Sequence, residues 1–113
     1  MRVLIVEDDV TLSRALSRML VGHDLAVFST AAEAIAELAA RPAGAILTDY
    51  GIAPTDGIRL LQEVAVAHPT MRRYLMSGFE EARFDEHVAS KLILRVFPKP
   101  IDLHALRAEL ARP

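Results

Sequence analysis

The sequence predicts an α/β protein, a doubly wound parallel sheet of five strand-helix units forming one domain over residues 1–113. Two observations predict it. Short apolar runs alternate along the chain with longer segments of helical period, the pattern of strands joined by crossover helices. The runs are apolar at successive positions rather than at every second one, as expected of strands covered on both faces. The 113 residues are 52% hydrophobic and 25% charged. A chain of that size buries roughly two-thirds of its unfolded surface and can support a core without metal or disulfide.

The first strand is Val3-Leu4-Ile5-Val6, β-branched and apolar, ending abruptly at Glu7-Asp8-Asp9. A helix follows with Leu12, Leu16, Met19 and Leu20 on one stripe and Arg14, Ser17 and Arg18 on the other, and Gly22 is placed to end it. Leu25-Ala26-Val27-Phe28 is the second strand. Thr30-Ala31-Ala32-Glu33 has the form of a capping box, which predicts a helix through Ala39 with Ala34, Ile35 and Leu38 inward. Pro42-Ala43-Gly44 turns the chain into the third strand, Ala45-Ile46-Leu47-Thr48, with Asp49 at its end. An irregular segment from Tyr50 to Gly57 precedes a helix bearing Ile58, Leu61, Val64 and Ala65, closed by Pro69. Arg73-Tyr74-Leu75-Met76 is the fourth strand, followed by Ser77-Gly78 and a polar helix over residues 80–90 with a weak apolar stripe. Residues 93–97 form the fifth strand. Pro98-Lys99-Pro100 then breaks the chain before a last helix carrying Leu103, Leu106 and Leu110.

Composition excludes several functions. The absence of cysteine argues against a disulfide scaffold or a thiolate-ligated zinc site. A net charge of -2 argues against generic attraction to nucleic acid, and no apolar run reaches the roughly 20 residues of a membrane span. Direct nucleic-acid or membrane partners are therefore not expected, and the expected location is the cytoplasm.

Right-handed crossovers place all strand C-termini on one sheet edge, where ligands bind. Glu7, Asp8 and Asp9 come there from strand one, Asp49 from strand three, Ser77 from strand four and Lys99 from strand five. Several carboxylates in one pocket repel unless a cation joins them. Mg²⁺ suits such oxygen ligands and leaves room for a substrate phosphate. His23, His68, His87 and His104 are dispersed with no i, i+4 pair, so they do not make a metal motif, and His23-Asp24 and His68-Pro69 lie at helix exits, which argues against a phosphodonor. A phosphoryl group entering this edge needs a nucleophile, a hydroxyl and a point charge, and Asp49, Ser77 and Lys99 supply them. The plainer readings are Asp9 as a helix cap, Asp56 as a turn residue before Gly57, Ser77 as a cap and Lys99 as a surface lysine.

The order and spacing of these residues resemble the receiver domain of bacterial two-component response regulators, over essentially the whole chain. Val3 to Asp9 look like that family's first strand and acidic cluster, Asp49 with Asp56-Gly57 like its phosphoacceptor loop, Ser77-Gly78 like its hydroxyl position, and Lys99-Pro100 like its lysine-proline pair. The resemblance implies a flavodoxin-like sheet in strand order 2-1-3-4-5, with Glu7, Asp8, Asp49 and the Gly51 carbonyl holding Mg²⁺. It implies Asp49 as the phosphoacceptor, Ser77 as the switch hydroxyl, Lys99 as the phosphate contact, and a cis Lys99-Pro100 bond. A histidine kinase or histidine phosphotransfer protein would be the donor and a further protein the output partner. On this reading the chain is a signalling module, not an enzyme.

Three positions depart from the family pattern. The usual proline four residues after the acceptor is Ala53 here, with Pro54 following, so a reshaped loop is expected. The usual aromatic three before the lysine is Val96, with Phe97 next and on the opposite face by strand alternation. The hydroxyl is a serine. An alternative is thus a constitutive protein-interaction pseudo-receiver that does not switch on phosphorylation. A Mg²⁺-dependent phosphohydrolase is a third reading, opposed by Gly51 standing where an acid-base aspartate would be. Nucleotide binding after strand one is opposed by acids in place of a glycine-rich loop.

Overall fold

In the computed structural model, which describes residues 1–113, the strands β1 (Arg2–Val6), β2 (Asp24–Phe28), β3 (Ala45–Asp49), β4 (Arg72–Ser77) and β5 (Arg95–Pro98) form one parallel sheet. Their spatial order is β2-β1-β3-β4-β5, the flavodoxin-like order expected. The helices are α1 (Val10–Met19), α2 (Ala31–Ala40), α3 (Gly57–Ala67), α4 (Asp85–Ala89) and α5 (Leu103–Ala111), with a 3₁₀ turn at Glu81–Phe84 before α4.

Alternation along each strand divides the core into two layers. Val3 and Ile5 of β1 pack with Leu47, Tyr74, Met76 and Phe97 beneath Leu16 of α1, Leu20 just after it, and Leu106 and Leu110 of α5. Leu4 and Val6 pack on the other face with Ile46, Leu75 and Val96 beneath Leu38 of α2 and Leu60, Leu61 and Val64 of α3. Both faces of β1 and β3 are thereby covered, which is why these strands are apolar at successive positions.

Local chemistry fixes the helix starts. Asp9 caps α1, its Oδ1 accepting the Thr11 and Leu12 N–H groups at 2.9 and 3.3 Å. Asp56, expected as a turn residue, caps α3 by accepting the Arg59 N–H at 2.9 Å. The capping box at α2 is half realised: Thr30 Oγ1 accepts the Glu33 N–H at 3.2 Å, but the Glu33 carboxylate accepts the Thr30 hydroxyl at 2.9 Å rather than a backbone N–H. Gly22, after α1, has φ +101°, a conformation costly for any residue with a Cβ.

Two elements differ from expectation. Residues 80–90 do not form a continuous helix: the 3₁₀ turn buries only Phe84, and the five-residue α4 buries nothing. A weak apolar stripe gives a helix little to pack, and its length yields accordingly. β5 starts at Arg95 rather than Ile93. Ile93 is buried in the core all the same, while its N–H donates to the His87 carbonyl at 3.1 Å and closes the turn after α4.

Candidate acidic functional site

At the C-terminal sheet edge one lysine is held between two carboxylates. Lys99, directly after β5, has its Nζ 2.9 Å from Glu7 Oε1 and 3.1 Å from Asp49 Oδ1. Glu7 follows β1 and Asp49 ends β3, so three strands separated widely in sequence build the contact. The Glu7 side chain is only 1% exposed, that of Asp49 13% and that of Lys99 30%. The second Glu7 oxygen accepts the Asp9 N–H at 3.1 Å, so both carboxylate oxygens are satisfied.

Burial pushes the Glu7 carboxyl above the ordinary carboxylate range, against the lowering by its hydrogen bond with Lys99. Burial pulls the Lys99 ammonium down, but its hydrogen bonds to Glu7 and Asp49 outweigh this and leave it above the usual value. The lysine is therefore a fixed positive charge at neutral pH.

Asp8 is exposed beside the pair, and oxygens of Glu7, Asp8 and Asp49 lie within 4.8 Å of one another. Three carboxylates with no histidine or thiolate form a hard donor set that fits Mg²⁺ rather than zinc. Gly51 is adjacent: a Cβ added there would lie 3.9 Å from Asp49 Oδ2. Gly57, at the start of α3, packs so closely that a Cβ would meet the Asp49 carbonyl oxygen at 2.5 Å, which ties the helix start to the loop after β3. Asp9 is committed to capping α1 and stands outside the acidic set.

Ser77 ends β4, is 1% exposed, and is joined to the lysine segment by the Lys99 N–H donating to its carbonyl at 2.8 Å. Its hydroxyl accepts the Phe79 N–H at 2.9 Å, a turn contact and not a helix cap. The Lys99-Pro100 bond is cis, as the resemblance implies, and so is Ala53-Pro54 in the loop after β3.

Sequence reasoning missed the rim. Tyr50, next to Asp49, meets Phe79 edge-on at 5.6 Å and Phe84 at 5.3 Å, and the Arg83 guanidinium lies 4.0 Å from the Phe79 ring centroid. The available signal was an aromatic one residue after Asp49 and another two after Ser77.

The fold and its acidic edge define a class, α/β proteins whose parallel sheet carries a carboxylate cluster and a lysine at the strand C-termini. Residues 3–111 match the model of the response regulator receiver domain, and the chain belongs to that family, the receiver domains of two-component systems. Among solved structures, a CheY-like receiver domain protein from Methanospirillum hungatei JF-1 superposes with a TM-score of 0.87 at 21% identity, over 96% of this chain and 89% of that one. A sensor protein from Polaromonas sp. JS666 gives 0.86 at 29% identity, over 96% and 91%. The transcriptional regulatory protein ZraR of Escherichia coli O157:H7 is 24% identical over 112 residues, 97% of this chain and 25% of that protein. The chain thus spans about a quarter of the length of the curated relatives it matches. No helix is long and apolar enough to cross a membrane.

Proposed function

We propose that this receiver domain is a phosphorylation-controlled signalling module in which Asp49 is the phosphoacceptor. The donor is a histidine kinase or histidine phosphotransfer protein. The observation that carries the reading is the Lys99 ammonium held at 2.9 and 3.1 Å between Glu7 and Asp49, a cation already at the carboxylate that must meet a phosphate. An Asp49 oxygen attacks phosphorus in line, and the bond from phosphorus to the donor imidazole nitrogen breaks with its electron pair returning to that nitrogen. Lys99 neutralises charge on one peripheral oxygen, and the Ser77 hydroxyl, released from Phe79, donates to another. Glu7, Asp8, Asp49 and the Gly51 carbonyl are the residues that would hold Mg²⁺, which when bound supplies charge neutralisation of the phosphoryl group. The acyl phosphate left on Asp49 adds negative charge between the loops after β3 and β4 and biases the surface beside them toward an output protein.

Incubation with acetyl phosphate and Mg²⁺, followed by intact mass, tests this. The adduct is expected in the parent chain and absent with chelator or in Asp49→Ala; an adduct surviving in Asp49→Ala refutes the assignment.

One observation favours the alternative of a constitutive interaction module. Val96 is buried among Leu75, Ile93 and Phe84, and Phe97 lies in the opposite core layer, so no aromatic stands at the family's rotating position. Amide NMR on the phosphorylated chain separates the two. Shifts reaching β5 and α5 support a switch, whereas shifts confined to residues around Asp49 support the static module.

A further inference from the structure

A polar cavity of about 300 Å³ opens between the start of α3 and the 3₁₀ turn with α4. Arg59 and Gln62 of α3, Arg83 and Phe84 of the turn, His87 of α4 and Tyr50 wall it. Neither guanidinium is in an ion pair; those of the chain are made by Arg2, Arg41, Arg72, Arg95, Lys99 and Arg112. Arg83 is instead held on π-faces, 4.0 Å from the Phe79 centroid and 5.5 Å from that of Tyr50, which fixes the fork without satisfying its charge. The one carboxylate in the wall, Asp56, is engaged as the α3 cap through the Arg59 N–H.

Two guanidinium groups against one carboxylate leave the wall net positive, and with an amide and an imidazole they form the complement of an anion with several acceptor oxygens. Arginine forks match phosphate in particular. The volume is at the low end of small-molecule sites, too small for a folded partner and adequate for a phosphate with a compact organic body. Half-buried Ile58 offers that body an apolar contact. We propose that this cavity binds a small organic phosphate monoester, of the size of a nucleoside monophosphate, with its phosphate between Arg59 and Arg83. The site needs no role for Asp49 and stands independently of the phosphoacceptor reading.

Amide NMR titration of the full chain with adenosine 5′-monophosphate, adenosine and inorganic phosphate tests it, with chelator present so that the carboxylate site holds no divalent cation. The monophosphate should shift the amides of Arg59, Gln62, Arg83 and His87 saturably. Arg59→Ala and Arg83→Ala should each weaken it about tenfold, as expected for losing a charge-assisted hydrogen bond. Arg14→Ala with Arg18→Ala, which removes two exposed charges on α1, should bind as the parent does. Both arginines of the cavity are exposed, and retained amide dispersion in each variant confirms folding. No shift at millimolar ligand, equal binding by the Arg59→Ala/Arg83→Ala double variant, or equal loss in the α1 control overturns the site. Adenosine binding as tightly as its monophosphate removes the anion from the recognition, and inorganic phosphate binding as tightly removes the organic body; either result overturns the proposal.

Discussion

Replacing Lys99 with methionine keeps an unbranched stem but takes the cation from between Glu7 and Asp49. Two charge-assisted hydrogen bonds are lost, at 2.9 and 3.1 Å. Such bonds contribute about 1.5–3 kcal/mol each when shielded from water. Shielding differs between them: the Glu7 carboxylate is 1% exposed, whereas Asp49 is 13% and Lys99 itself 30% exposed, so water replaces much of the second bond. Taking about 2 kcal/mol for the Glu7 contact and about 0.5 kcal/mol for the wetter one gives a loss near 2.5 kcal/mol. With a urea slope of about 1–3 kcal/mol/M, the unfolding midpoint should fall by about 0.8–2.5 M in chelator. Glu7→Gln removes the charge that Lys99 neutralises, so in that background Lys99→Met should cost at least about 1 kcal/mol less. A Lys99→Met variant within about 0.5 kcal/mol of the parent, or a strictly additive cycle, refutes the claim that this lysine holds the site together.

Four further outcomes follow from the packing. Asp9→Ala leaves the Thr11 and Leu12 N–H groups without their acceptor and should cost about 1 kcal/mol in urea unfolding. Leu75→Ala, at a position with no exposure between β3 and β5, should cost about 2–5 kcal/mol, and a loss below 1 kcal/mol would mean the layer had collapsed around the cavity. Burial, with the hydrogen bond to Glu109, pushes the Tyr74 phenol up to about 12. In Tyr50→Phe, which leaves Tyr74 as the only tyrosine, phenolate absorbance should therefore appear near pH 12, and the stability held by the neutral phenol should fall as pH rises from about 10 toward that value. Burial raises the Glu109 carboxyl, but the Tyr74 hydrogen bond and the contacts of Arg112 and Arg72 outweigh it and hold the group below the usual range. Its folded value being depressed, the stability it lends is present above the unfolded carboxylate value and lost as pH falls through the folded one, so acid unfolding should be shallower in Glu109→Gln.

The parts of the fold legible in the sequence were those where one physical demand acts alone. β1 and β3 are covered on both faces, so their apolar runs stand out without any knowledge of partners. The strands being parallel, whatever follows each run arrives at one edge, which is how Glu7, Asp8, Asp49 and Lys99 could be gathered from distant positions. Ile93 shows where this logic fails: the side chain is buried, but its N–H serves the turn after α4, and apolarity alone does not distinguish a strand residue from a buried turn residue. The Tyr50, Phe79, Phe84 and Arg83 cluster was illegible for another reason. Ring stacking between two loops depends on backbone paths that no period in the sequence encodes.

The most consequential single step of register is the one that separates Val96 from Phe97. Because β5 pairs with β4 in parallel, Val96 opposite Leu75 and Phe97 opposite Met76, a one-residue offset puts the aromatic in the other core layer. There it lies 5.9 Å from the Tyr74 ring beneath α5, 2% exposed, with no solvent-facing pose to swing from. Val96, β-branched and 5% exposed on the α3 side, has too short a side chain to change the surface by rotating. A change at the acidic edge could reach β5 through the backbone instead, since the Lys99 N–H bonds the Ser77 carbonyl and the Ser77 hydroxyl holds the Phe79 N–H. On the proposed phosphoacceptor reading, a Ser77 hydroxyl displaced toward a phosphate would free that N–H and the segment bearing Phe79, whose 48% exposed ring, on which Arg83 stacks, is the large apolar group beside it.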